Sequence, residues 1–343
     1  MGVKALLNTL GTRSRTLPLV ILYVTEGCNL HCISCSYRNP LPGELTLGEL
    51  GEIARALKAF GLRHIVYSGG EPLLRRDFPQ ICALFEDPRV RQSLLTNGLL
   101  LEKRFPDVRK FLGEVIVSLD GPDEETHDGI RGPGSFRQIL LGIRGAVASP
   151  DAPPLSLRTV IQKRNFRAIP GMVRLARELG VSRISFLAAD VGPLAFGRGE
   201  RGAVVPREAL TLDAGEIAEF RRVISHLARE SAGDFSSGFI AESPARLMRL
   251  AEYFEALIGA GPFPPTSCNA PMVSVVITST GDLLPCYFLP RFGNIRQTAL
   301  PDLINGGEIR SMRREVRAGT PGPCKTCVCT LNVRPARALL GRF

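Results

Sequence analysis

Apolar residues in the first half of the chain follow two alternating patterns. Short bounded runs rich in Leu, Ile and Val, such as Leu19 to Val24, are typical of buried strands. Between these runs, apolar residues recur three and four positions apart, as in Leu47 to Phe60, and Gly61 then supplies a helix-ending signal. The pattern therefore predicts strands and helices in strict alternation.

Repetition of the strand–helix pair indicates the fold. Strands that alternate with helices of this length are typical of a parallel sheet. We predict an α/β fold in which six parallel strands curl into a partial (β/α)6 TIM-like barrel, with active-site loops at the carboxyl ends of the strands. The predicted strands are 19–24, 64–67, 93–96, 114–119, 155–161 and 183–187, and the predicted helices are 47–60, 78–85, 103–112, 135–148 and 169–179.

The alternation stops after residue 190. A glycine-rich segment at 192–202 precedes two amphipathic helices, 213–229 and 244–258, and Ser243 is placed to cap the second. Two short apolar runs, 273–277 and 283–284, then predict a small β-hairpin turning at Gly281-Asp282. We expect an N-terminal lead-in at 1–18, the barrel at 19–190, a helical insert at 191–265, a small hairpin-containing domain at 266–330 and a basic tail at 331–343.

Composition narrows the function classes. The formal net charge is +10, but the arginines are spread along the chain and aromatic content is only 6%, so there is no specific nucleic-acid signal. No apolar run reaches the roughly 18 residues of a membrane span, and the start lacks a secretion signal. We expect a cytoplasmic protein with a large core.

Cysteine spacing points to metal chemistry. The nine cysteines are too few for a secreted disulfide scaffold, and three of them, Cys28, Cys32 and Cys35, are spaced C-x3-C-x2-C after the first strand. Three thiolates can hold three irons of a cubane cluster and leave the fourth iron open. A structural zinc ion is the alternative, but it needs a fourth ligand, and His31 is awkwardly placed beside Cys32.

The cysteine loop resembles that of a known family when it is combined with Gly-Gly-Glu-Pro at 69–72, after the second strand. Together these motifs resemble the radical S-adenosylmethionine (radical SAM) enzymes. The resemblance implies that Cys28, Cys32 and Cys35 hold a 4Fe–4S cluster and that SAM chelates the open iron. An electron from the cluster would cleave SAM to methionine and a 5′-deoxyadenosyl radical, which would abstract hydrogen from a substrate.

The same resemblance assigns roles to the second motif. Gly69 and Gly70 would let the backbone approach the methionine moiety, and Glu71 would accept a hydrogen bond from its ammonium group. Many family members have an aromatic residue before the third cysteine, where this chain has Ser34. Tyr37 is the candidate to replace it beside the adenine.

Further cofactor contacts are expected at strand ends. Asn97 follows the third strand, and Ser118 and Asp120 follow the fourth, although Asn-Gly and Asp-Gly pairs are also ordinary turn residues. Arg131 resembles a position that often accompanies the Ser-Leu-Asp-Gly segment in these enzymes. Its alternative interpretation is a solvated loop charge.

The C-terminal cysteines resemble those of the SPASM and twitch domains. Cys268, twelve residues, Gly281, four residues and Cys286 match their opening C-x12-G-x4-C pattern. A full SPASM domain has more cysteines and two clusters, so five cysteines imply one auxiliary 4Fe–4S cluster, with structural zinc as the alternative. This cluster is expected to transfer electrons. Its ligands are expected to be Cys268, Cys286, Cys324 and Cys327, with Cys329 as the spare or the substitute for Cys327.

Enzymes of this layout act on several substrates. We expect an oxidoreductase or maturase in peptide or cofactor maturation, reduced by a flavodoxin or ferredoxin. A small-molecule dehydrogenase and a haem-precursor decarboxylase are alternatives, and a noncatalytic iron-sulfur carrier is an alternative of another class. A lead-in of 18 residues is shorter than the at least about 40 residues that a domain needs, so a peptide substrate would require a separate recognition protein or direct contact with the basic insert.

Overall fold

The computed structural model describes residues 2–192 and 207–329, together with Leu331 and Val333. Most of the predicted glycine-rich segment and of the basic tail lies outside these residues. The strands are β1 Leu19–Thr25, β2 His64–Gly69, β3 Arg91–Thr96, β4 Glu114–Ser118, β5 Leu155–Ile161, β6 Arg183–Ala188, β7 Ser274–Ile277, β8 Asp282–Leu284 and β9 Gly293–Asn294.

The described helices surround this sheet and follow the predicted alternation. None of them is long and apolar enough to cross a membrane. They are α1 Gly2–Leu10, α2 Leu47–Ala59, α3 Phe78–Leu84, α4 Leu101–Val108, α5 Glu124–Arg131, α6 Ser135–Val147, α7 Ile169–Glu178, α8 Arg207–Leu210, α9 Ala214–Glu230, α10 Ala232–Ser237, α11 Pro244–Leu257, α12 Ala270–Val273, α13 Leu300–Asn305, α14 Gly307–Arg317 and α15 Gly322–Lys325.

One sheet runs through the described residues, in the order β6-β5-β4-β3-β2-β1-β7-β8-β9. The first six strands are parallel and pair with their sequence neighbours, as a partial barrel requires. The sheet is not closed. The predicted α/β class and parallel strand order are confirmed.

The centre of the sheet is β1, and every one of its residues is buried. Such burial explains the continuous apolar run, because a strand covered on both faces needs no polar alternation. The next helix, α2, begins at a capping box between Thr46 and Glu49 and turns Leu50 and Leu57 towards the core.

The C-terminal hairpin belongs to the same sheet as the barrel strands. Its first strand, β7, runs parallel to β1, with Leu19 opposite Ser274 and Leu22 opposite Ile277. The second strand, β8, pairs antiparallel with β7. The C-terminal hairpin therefore extends the barrel sheet at the free edge of β1.

The N-terminal lead-in also differs from expectation, because half of it forms α1. Ala5 packs against Met272 and Val273, and the Asn8 side chain donates to the carbonyl oxygens of Thr16 at 2.7 Å and Met272 at 3.0 Å. A helix of nine residues gives little periodicity to detect. Its position is fixed by C-terminal residues.

Candidate active site

The three-cysteine loop leaves the carboxyl end of β1 and folds back on itself. The Cys28 amide donates to the Arg38 carbonyl at 2.9 Å, and the Cys35 amide donates to the Cys32 carbonyl at 3.2 Å. All three cysteines are half-buried, and burial raises the pKa of Cys35 to about 11, with Cys32 and Cys28 adding to the effect. The loop thus gathers the three thiols in one partly enclosed place.

Two side chains that sequence reasoning missed hold the base of this loop. One carboxylate oxygen of Glu44 accepts from the Thr25 hydroxyl at 2.9 Å and the Glu26 amide at 2.8 Å. Arg75 donates to the Val24 carbonyl at 2.8 Å. No local motif marks either residue, because these contacts arise only from the fold.

The two glycines after β2 lie against the cysteine loop. A Cβ atom on Gly69, where φ is +111°, would lie 2.2 Å from the Thr25 carbonyl oxygen, and one on Gly70 would lie 2.1 Å from that of Gly27. The amides of Gly70 and Glu71 donate to these same oxygens at 2.9 Å and 2.8 Å. The loop backbone therefore leaves no room for a side chain at either glycine, and their expected contact with methionine stays a prediction.

Glu71 is fully buried and joins the ends of β2 and β3. Its carboxylate accepts from the Thr96 hydroxyl at 2.8 Å, the Asn97 amide at 2.7 Å and the Leu73 amide at 3.0 Å. Burial raises the pKa of Glu71 to about 7, against the effect of these donors. Protein groups occupy most of its acceptor capacity, so its expected bond to the SAM ammonium group stays a prediction.

Asn97 connects this brace to the cluster loop. Its side-chain amide donates to the Asn29 side chain at 2.8 Å and lies 3.7 Å from the Cys28 sulfur. Its side-chain oxygen accepts from the Leu99 amide at 3.0 Å. The structure therefore brings this predicted site residue to the first cysteine.

Asp120 and Arg131 form a buried ion pair beside the cysteines. Arg131 Nε lies 2.7 Å from Asp120 Oδ2, while Asp120 Oδ1 accepts from the Val160 amide at 2.7 Å. Arg131 Nη1 lies 3.9 Å from the Cys32 sulfur. The solvated-loop interpretation of Arg131 was wrong: the residue ends α5, a helix too polar to show an apolar pattern.

Tyr37, Ser34 and Ser118 are the remaining residues that were predicted to contact the cofactor. Tyr37 is only 6% exposed, and its ring lies edge-on to that of Tyr23 with centroids 6.0 Å apart. Ser34 is half-buried in the loop, and Ser118, also half-buried, lies opposite Arg158 of β5. Contacts of these residues with adenine or ribose stay predictions, and the burial of Tyr37 counts against its role.

The five auxiliary cysteines line one largely apolar cavity, and their role as cluster ligands stays a prediction. Cys329 is exposed and the others are half-buried, but the choice between Cys327 and Cys329 stays open. The cavity is lined by Cys268, Cys286, Cys324, Cys327 and Cys329 together with apolar residues of β1 and β7.

A second cavity, of about 230 Å³, lies between the barrel and the auxiliary cysteines. We call it the arginine cavity. Its walls come from β5, β6, α11 and the segment at 327–329, and its charged residues are Arg158, Arg246, Arg249 and Glu242. Sequence reasoning missed this group because its members lie far apart in the chain.

Comparison with known proteins identifies both halves of this arrangement. The family model of the radical SAM superfamily matches residues 22–176, and that of the SPASM iron-sulfur cluster-binding domain matches residues 268–328. An AdoMet-dependent heme synthase of Methanosarcina barkeri is 28% identical over 90% of this chain and 88% of its own length. A protein of the same name from Nitratidesulfovibrio vulgaris is 27% identical over 93% of this chain and 87% of its own length.

Among solved structures, Streptococcus suis SuiB bound to S-adenosylmethionine superimposes with a TM-score of 0.63. It is 17% identical, over 94% of this chain and 75% of that one, so the likeness is one of fold. The two matched families imply a SAM-binding 4Fe–4S cluster and an auxiliary iron-sulfur cluster in this protein. The chain belongs to the radical SAM superfamily and carries a C-terminal SPASM domain.

Proposed function

We propose that the protein cleaves SAM reductively and uses the resulting radical to decarboxylate a haem precursor. The assignment to an enzyme is supported by the contact between the Gly-Gly-Glu-Pro motif and the cysteine motif. The amides of Gly70 and Glu71 donate to carbonyl oxygens at the start of the cysteine loop. An iron-sulfur carrier would need the cysteines but not this second segment. The noncatalytic alternative is therefore less well supported.

Each chain residue near the cysteines has a physical task. Cys28, Cys32 and Cys35 would hold the cluster, which when bound supplies the electron that cleaves the sulfonium of SAM. Arg131 brings a buried positive charge to Cys32 and favours its thiolate form. Asp120 holds the guanidinium group in place from the opposite side.

Two observations support the haem precursor. Two relatives that match at least nine tenths of the chain are heme synthases, whereas the neighbours solved with bound peptides share only the fold. The arginine cavity also suits a substrate with carboxylates, such as porphyrin propionates. Conversion of one propionate to a vinyl group releases a hydrogen atom, carbon dioxide and one electron. When bound, the auxiliary cluster would supply the acceptor for that electron.

Anaerobic turnover tests this proposal in two stages. The reconstituted protein is incubated with dithionite, SAM and an iron coproporphyrin, and 5′-deoxyadenosine and decarboxylated porphyrin are measured. If 5′-deoxyadenosine does not rise above background, the enzyme class is wrong for this chain. If it forms but no porphyrin loses carbon dioxide, only the substrate assignment fails.

Iron content tests the two-cluster arrangement separately. Two cubane clusters correspond to about eight irons per chain, and replacing Cys28, Cys32 and Cys35 by alanine should leave about four. Iron is counted colorimetrically after anaerobic reconstitution and desalting. A wild type that already holds about four, or a triple variant that holds none, would contradict the arrangement.

A further inference from the structure

The arginine cavity carries an excess of positive charge. Three guanidinium groups, of Arg158, Arg246 and Arg249, line it together with a single carboxylate, Glu242. The carboxylate already accepts a hydrogen bond from the Phe186 amide at 2.9 Å. One side chain therefore cannot neutralise the three cations around it.

Burial raises the pKa of Glu242, and the nearby charges of Arg158 and Arg246 oppose that rise. Among the residues that the structure describes, none of the three forms an ion pair. Arg158 Nε donates only to the Ser185 hydroxyl at 3.3 Å, and Arg249 donates to the Pro265 carbonyl oxygen. Guanidinium groups held by neutral partners retain donors for an anion.

The location of Arg158 indicates what the excess positive charge could bind. This half-buried residue lies opposite Ser118 in the register of β4 and β5, on the barrel side of the cavity, while Cys327 and Cys329 line the other side. A carboxylate bound here would lie between strands β5 and β6 of the barrel and the auxiliary residues Cys327 and Cys329. The three-cysteine loop and the auxiliary cysteines must both serve one substrate if a hydrogen atom and then an electron are removed from it.

We propose that the arginine cavity binds a carboxylate of the substrate, with Arg158 as its positioning residue and Arg246 and Arg249 as supporting cations. This inference rests on the proposed function and adds the groups that select and orient the substrate. The volume of about 230 Å³ is below that of most whole-ligand pockets, so the cavity takes one carboxylate arm of a larger molecule.

The competing explanation is that the arginines offset the charge of the auxiliary cluster. A cluster held by four thiolates is negatively charged, and cationic neighbours raise its reduction potential. The two explanations predict different measurements. Substrate binding changes the affinity for carboxylates, whereas charge compensation changes the midpoint potential.

Binding measurements on the unreduced holoenzyme distinguish the two explanations. Iron coproporphyrin and its tetramethyl ester are titrated anaerobically by absorbance into wild type, Arg158→Gln and Arg249→Gln. Arg55→Gln, an exposed arginine on α2, is the matched control. We expect Arg158→Gln to bind the free acid about 10- to 100-fold more weakly, the loss of one charge-assisted hydrogen bond, while wild type and variant bind the ester equally. Arg158→Lys should restore part of the affinity, because it keeps the charge without the guanidinium fork.

Iron content and the auxiliary-cluster midpoint potential are measured on the same samples and should match wild type. Equal affinity of wild type and Arg158→Gln for the free acid would overturn the inference, and a changed potential would then assign the arginines to the cluster. If wild type does not bind the porphyrin at all, the haem-precursor assignment fails. A glutamate-rich peptide then replaces it in the titration: dependence of its affinity on Arg158 supports carboxylate binding, and independence overturns it.

Discussion

Glu71 shows how much of the site depends on one side chain. A single buried carboxylate holds the ends of β2 and β3 together through Leu73, Thr96 and Asn97. The sequence motif identified the residue, but the resemblance suggested that its carboxylate faced the cofactor. The observed contacts make it the internal support of the segment that meets the cysteine loop, and its bond to the SAM ammonium group stays a prediction.

Burial of Glu71 predicts an unusual pH dependence of stability. Its pKa of about 7 in the folded protein lies above the ordinary 4.5, so the folded state holds this proton more tightly than the unfolded state. The Glu71 contribution to the unfolding free energy is therefore present below about pH 4.5 and is lost as the pH rises to about 7. Urea unfolding at pH 5 and pH 7 should show a fall of about 1 to 3 kcal/mol in wild type that is missing in Glu71→Gln. Equal pH dependence in the two proteins would contradict the assignment.

Gly70 predicts a selective loss of the SAM cluster. In Gly70→Ala the new Cβ would collide with the Gly27 carbonyl oxygen, so the cysteine loop must move. We expect about four irons to be lost and SAM cleavage to fall to background, with the auxiliary cluster retained. Gly145→Ala in α6, where a Cβ meets nothing within 4 Å, is the control and should keep both clusters. Full iron content in Gly70→Ala would show that the loop tolerates the shift.

At the scale of elements, the apolar pattern predicted the strands and helices that bury an apolar face and missed the helices that do not. The β/α steps from β1 to β6 were found because their strands and helices bury continuous apolar sets. The helix α5 was missed because only His127 and Ile130 among its eight residues are buried. The N-terminal α1 was missed because its position depends on contacts with the far end of the chain.

A buried arginine on α14 fixes several of these elements together. Arg313 is 2% exposed and donates to the carbonyl oxygens of Pro271 at 2.7 Å, Ile304 at 2.8 Å and Thr12 at 2.9 Å. Arg313→Met should lower the unfolding free energy by about 3 kcal/mol or more, because it leaves three buried acceptors without donors. Arg310→Met, on the exposed side of the same helix, should change it by less than about 0.5 kcal/mol. Denaturant unfolding measures both, and similar values would deny Arg313 this role.

At the scale of the whole molecule, β1 belongs to both halves of the protein. It pairs with β2 of the barrel on one edge and with β7 of the C-terminal hairpin on the other. The sequence predicted all three strands but not this pairing, because a buried apolar run does not reveal its partner. Likewise, local spacing pointed to the candidate cysteines but not to Glu44, Arg75 or the arginine cavity, whose members meet only in the folded chain.

The shared sheet predicts that the two halves unfold together. Removing β7 would expose an edge of the central strand, so neither half should persist alone through a denaturant transition. Backbone circular dichroism and the absorbance of the auxiliary cluster in the Cys28/Cys32/Cys35→Ala variant should give coincident midpoints. Two separated transitions would show that the C-terminal domain is energetically independent.

The pairing of β1 with β7 also has a consequence for the order in which the chain folds and receives its metal. Ser274 follows its partner Leu19 by 255 residues, so β1 and the cysteine loop leave the ribosome long before β7 is made. Until then one edge of β1 has unpaired backbone groups that attract other strands. We therefore expect loading of the SAM cluster to be a post-translational event, with the nascent thiols and the open sheet edge protected by chaperones in the interval.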